Sequence, residues 1–144
     1  CDAQIAMILR VAALAPHVAV TATTVERHGE RATVEVTVTN AGYLPSYVVP
    51  SKKALEHSDP IRVEVLDRSR LVDPHRAIVT VGHLEGWGRG KHAHSIFGLE
   101  SRGSVSHGFA RFEVHAGDAS PIALSVSAPR LGTRTVHVRL DGNG

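Results

Sequence analysis

The sequence predicts an all-β domain, an immunoglobulin/fibronectin-like antiparallel β-sandwich of about seven strands with an N-terminal helix. Three observations predict it. Apolar and polar residues alternate with a period of two in segment after segment, as they do when one face of a strand is buried and the other wet. Clusters of Gly, Pro, Asp, Asn and Ser punctuate those segments at short intervals. Aromatic residues make up only 4% of the chain, so the core must be assembled from Val, Ile, Leu and Ala. Of these, Val and Ile favour the pleated, half-buried surface of a strand.

The first element is the exception. Asp2 to Ala15 (DAQIAMILRVAALA) reads as a helix, with Asp2 at the N-cap and Pro16 as the stop. Ile5, Met7, Ile8, Leu9, Val11 and Leu14 circle most of its axis, and Gln4 and Arg10 are the polar residues in its middle. A helix apolar nearly all round demands burial on more than one side. From His17 the period changes to two: Val18, Val20, Ala22 and Thr24 alternate with Ala19, Thr21, Thr23 and Val25. ERHGER, with Gly29 at its tip, predicts a hairpin turn. Thr33 to Thr39 (TVEVTVT) follows, with Val34, Val36 and Val38 facing in.

Asn40, Gly42 and Pro45 end that strand by removing regular backbone geometry and a donor. Ser51 predicts the cap of a short helix reaching about Glu56. Further strands are expected at Ile61 to Leu66, Arg76 to Val81, Gly108 to His115, Ile122 to Ala128 and Thr133 to Leu140, with turns at DRSR, AGDASP and APRLGT. Between Gly82 and Ser106 lies a long Gly- and His-rich segment with the only tryptophan, Trp87.

A chain of 144 residues suits one domain, and at this length it buries roughly 70% of its unfolded surface. The expected organisation is a helix over residues 1–16, linking to an upstream domain, and a sandwich over residues 17–141. The net charge of +2, with Lys and Arg scattered, argues against nucleic acid as a partner. No apolar run reaches the roughly 18 residues of a membrane span. The single cysteine, Cys1, forbids an intrachain disulfide. A first residue other than Met points to processing or to a piece of something longer.

The chemistry-bearing residues do not assemble into a reaction centre. His92 and His94 would share one face of an extended segment, a spacing found in metal pairs, and His83, Glu85, His107 and His115 stand in reserve as a third ligand. HxH alone is a weak signal with no carboxylate at a defining spacing, and a polar His-rich loop is the plainer explanation. GWGRGKH lacks the Ser or Thr that must follow Gly-Lys in a phosphate-binding loop. No GxSxG and no HExxH occur, so no catalytic residue and no cofactor are assigned. Tyr43 and Tyr47 suit a structural role, covering the end of a sandwich with their rings while their hydroxyls reach backbone.

One stretch carries a resemblance. Asn40-Ala-Gly-Tyr-Leu-Pro-Ser-Tyr47, ending a valine-rich strand and followed by Lys52-Lys-Ala-Leu55, resembles the β-sandwich domain that follows the catalytic domain of some bacterial zinc carboxypeptidases. The helix ending at Pro16, Gly82-His-Leu-Glu-Gly86 and Ser127-Ala-Pro-Arg-Leu-Gly-Thr133 also look like segments of that family. The structural motif so marked is Asn40, Gly42, Tyr43, Leu44, Pro45 and Tyr47. The resemblance implies a non-catalytic accessory domain whose partner is the upstream peptidase domain, with zinc held only there. The family's His-x-x-Glu zinc motif is missing from this chain, so no catalytic role transfers to it. The alternative is an independent carbohydrate-, peptide- or metal-binding module built on the Gly82–Ser106 loop, with His83, Glu85 and Trp87 as its binding residues.

Overall fold

The computed structural model of the chain describes residues 2–47, 59–86, 106–117, 120–128 and 132–140. It is an antiparallel sandwich preceded by one helix. Helix α1 (Asp2–Ala12) leads into strand β1 (Val18–His28), which turns back into β2 (Arg31–Asn40). Then come β3 (Ile61–Val65), β4 (Ile78–Gly82), β5 (His107–His115), β6 (Ile122–Ala128) and β7 (Gly132–Val138). The expected helix beginning at Ser51 lies outside the described residues.

Among the described residues the strands divide into a three-stranded sheet of order β1-β2-β5 and a four-stranded sheet of order β4-β3-β6-β7, each pairing antiparallel. In a constant-type immunoglobulin domain the fourth strand joins the sheet of the first. Here β4 pairs with β3 in the opposite sheet instead, the fibronectin-like arrangement of the same architecture.

The valine alternation does what a period of two requires. Along β2, Ala32, Val34, Val36, Val38 and Asn40 are buried while the residues between them are half-covered. Ile61, Val63 and Val65 of β3, Ala110, Phe112 and Val114 of β5, and Ile122, Leu124 and Val126 of β6 meet them between the sheets. A one-residue slip of any of these strands would turn its entire apolar set to solvent, so burial itself sets the register. Gly29, at φ 61, makes the β1–β2 turn where a side chain would be strained. A bulge at Thr24/Glu26 then bends β1.

Two segments expected as turn and strand are tighter than predicted. DRSR becomes a 3-10 turn over Arg68–Arg70, started by Asp67, whose carboxylate accepts from Ser69 N at 3.1 Å. Asp73 does the same for the turn Pro74–Arg76, accepting from His75 N at 3.0 Å, and this delays β4 to Ile78. An Asp directly before a short polar run competes for the backbone and favours a cap over a strand. Arg70, in the first of these turns, is buried, and its guanidinium donates to Ser120 Oγ at 2.7 Å and to the carbonyls of Ser120 and His115.

Helix α1 contrasts with the rest. No residue of it is buried, and Ile5, Met7, Ile8, Leu9 and Val11 are each more than half exposed. At 3.6 residues per turn its large apolar side chains, Leu14 included, sweep roughly 220° of arc, about twice what a helix lying on one core needs. Asp2, Ala6 and Arg10 mark the remaining stripe. Among the described residues, no helix is long and apolar enough to cross a membrane.

Candidate functional site

Three stretches converge at the end of the sandwich where α1 enters: the helix exit (Leu14 to His17), the irregular excursion after β2 (Asn40 to Tyr47) and the segment after β4 (His83 to Gly86). Each stretch must leave a regular element there, and each therefore brings backbone groups that no ladder satisfies.

Asn40 supplies the centre. It is 2% exposed, and its side chain makes three of the four hydrogen bonds an amide can make. Its Oδ1 accepts from His17 N and from Gly42 N, both at 3.0 Å, and its Nδ2 donates to the Leu44 carbonyl at 2.8 Å. The backbone adds to this. Ala41 N donates to the His17 carbonyl at 2.7 Å, and Leu44 N donates to the Leu14 carbonyl at 2.9 Å, one of the carbonyls a helix end leaves without a partner. The exit segment after α1 is thus clamped to the sandwich although the side chains of α1 are not.

Glycine is required at two contacts. A Cβ on Gly42 would run into the Ala15 carbonyl and His17 N, and a Cβ on Gly86 into the backbone of Tyr43 and Leu44. Both neighbours are main chain, which cannot swing aside. The second and third stretches are also stitched to each other: Ser46 N donates to the Leu84 carbonyl and Leu84 N to Ser46 Oγ, each at 2.8 Å. Beyond them Tyr47 and Glu85, each 4% exposed, meet through the Tyr47 hydroxyl, which donates to the Glu85 carboxylate at 2.5 Å. His83 stands edge-on to the Tyr47 ring, with centroids 5.9 Å apart.

The structure therefore brings together Asn40, Gly42, Tyr43, Leu44, Pro45 and Tyr47 with His83 and Glu85. The expectation that the tyrosine hydroxyls reach backbone is modified at Tyr47, whose hydroxyl meets a buried carboxylate. His83 and Glu85 face inward, as parts of this knot. Trp87, His92 and His94 lie outside the described residues. His107 sits on the outer face of β5 with its ring edge-on to Phe109, and His115 lies at the far end of the same strand. Among the described residues, no group of three His, Cys, Asp or Glu side chains is placed to hold a metal. Asn40 was marked by the sequence as a strand terminator, but its three-way bonding was not legible, because its partners lie up to 23 positions away. Arg70 was missed altogether: an Arg in a DRSR turn looks exposed.

The arrangement is a joint. Its polar groups are turned on one another and on backbone, so it holds three chain segments in fixed relation. The class so defined is a fibronectin-like β-sandwich with an apolar helix locked to one end. The chain belongs to the DUF8731 family, a domain of unknown function whose family model matches residues 17–139. The match covers the sandwich and begins just after α1 and its exit turn. No curated protein and no solved structure matches the chain.

Proposed function

We propose that the chain is a non-catalytic accessory module of a zinc carboxypeptidase-type enzyme, in which α1 packs against the peptidase domain ahead of it and the sandwich stabilises or positions that domain. The observation that carries the reading is the state of α1. A helix with more than half the surface of five large apolar side chains in water is not stabilised by its own domain. Its arc is wide enough for a neighbour to surround it, and the Asn40 joint fixes the direction in which it leaves. The resemblance of Asn40–Tyr47 to the sandwich domains of that peptidase family supplies the identity of the neighbour. Zinc belongs, on this reading, to the peptidase domain alone.

The test is to produce the longer polypeptide with and without residues 1–144, and with α1 altered by Ile8→Glu and Leu9→Glu. The expected result is a lower melting temperature of the peptidase domain and reduced peptidase turnover after truncation, with the double substitution reproducing most of the loss. Unchanged stability and unchanged activity in both variants would sink the proposal.

A further inference from the structure

A cleft opens on the flank of the sandwich away from the β2–β5 pair, between the two outermost strands β1 and β7. These strands run side by side in the same sense. At their C-terminal ends they are drawn together, with Arg27 Nη1 donating to the Leu140 carbonyl at 3.3 Å and Nη2 to the Ala116 carbonyl at 3.5 Å. Near their N-terminal ends lies a cleft of about 240 Å³. Its walls are Val18 and Val20 of β1 and Val126 and Ala128 of β6. Arg134 and His17 also line it, and among the described residues no carboxylate does.

Strand β7 ends its sheet, and it pairs with β6 over seven consecutive residues without a bulge. An edge of that length is commonly blunted by a proline, a bulge or inward charge. Among the residues of β7 only Arg134, on the inward-facing side at the mouth of the cleft, resembles such a device. Among the described residues, the combination is an unpaired main-chain edge beside an apolar trough whose charged lining is basic. Main-chain edges take extended peptides as added strands, with alternate side chains dropping into adjacent pockets.

We propose that this flank binds an extended peptide segment bearing aliphatic side chains and carboxylates. The segment is added as a strand along the N-terminal half of β7, its aliphatic side chains against the half-buried Val18 and Val20 and a carboxylate on Arg134. The charge balance of the lining selects the acid: a lysine-bearing strand would meet Arg134 with like charge and no compensating group. The inference uses none of the α1 side chains that the accessory role depends on, although the cleft adjoins the helix exit at Pro16 and His17.

The experiment uses two fluorescein-labelled, N-acetylated hexapeptides, one alternating valine with glutamate and one alternating valine with lysine, titrated with the chain and followed by fluorescence polarisation. The glutamate peptide is expected to bind, the lysine peptide at least about tenfold more weakly, and Arg134→Ala to cost about tenfold while Arg62→Ala, on the distant strand β3, costs nothing. Far-UV circular dichroism of both variants verifies the fold; Arg134 and Arg62 are exposed, so neither change disturbs the core. Amide exchange by NMR is expected to slow in β7 when the glutamate peptide is added. Equal binding of the two peptides, no binding of either, binding without protection in β7, or a dimer of the chain that occupies β7 in the absence of peptide would each overturn the proposal.

Discussion

At the residue scale Asn40 shows how one polar side chain organises an irregular end. Its amide satisfies two backbone N–H groups and one carbonyl from stretches that are otherwise unrelated. A buried polar group that loses its partner costs more than the bond itself contributes, because the orphaned donors and acceptor stay out of water. Asn40→Ala is therefore expected to lower stability by about 2–3 kcal/mol, read as a shift in the urea midpoint with an unchanged slope. A shift no larger than that of an exposed polar substitution would mean that the joint is held by its backbone bonds alone. The outer face of the first sheet gives the opposite case. Arg111 Nε donates to Glu35 Oε2 at 2.6 Å, but the Arg111 side chain is 70% exposed. A double-mutant cycle on this pair is expected to return only about 0.2–1 kcal/mol, since water and salt screen it.

At the scale of elements, the sandwich interior is built from side chains of modest size, so its stability is spread over many small contacts. Leu124 of β6 is fully buried and sits among the valines of both sheets. Leu124→Ala removes apolar contact and leaves a void that rigid strands cannot close, and is expected to cost about 2–5 kcal/mol in chemical unfolding. The strands themselves were largely legible in sequence. TVEVTVT could be only a strand with valine inward, and IRVEV and IALSVSA repeat the pattern. The turn at DRSR was expected, but its 3-10 form and the second 3-10 turn after Asp73 were not. Their capping bonds are local, yet whether a short polar run caps or extends depends on where the neighbouring strand ends.

At the scale of the whole molecule, α1 and the sandwich are joined at one point and share no core. A chain beginning at His17 is expected to keep the sandwich: its amide-exchange protection in β2, β3 and β6 should survive, and its melting temperature should fall only slightly. The loss includes the Leu44 N to Leu14 carbonyl bond and the cover over Gly42. The same truncation should reduce self-association in light scattering, because the exposed apolar arc is removed. Collapse of the fold on truncation would show that α1 contributes more than its exposed side chains imply.

By itself the sequence determined the fold class, the facing of the strands and the uneasy composition of the first helix. All three follow from local periodicity, and periodicity is written along the chain. Only the tertiary structure decided which strands are neighbours, that β4 pairs with β3, that Asn40 binds the helix exit, and that β1, β6 and β7 line one cleft. Those facts depend on residues far apart in sequence meeting in space, and the choice between competing pairings is made by burying the common core rather than by any residue alone.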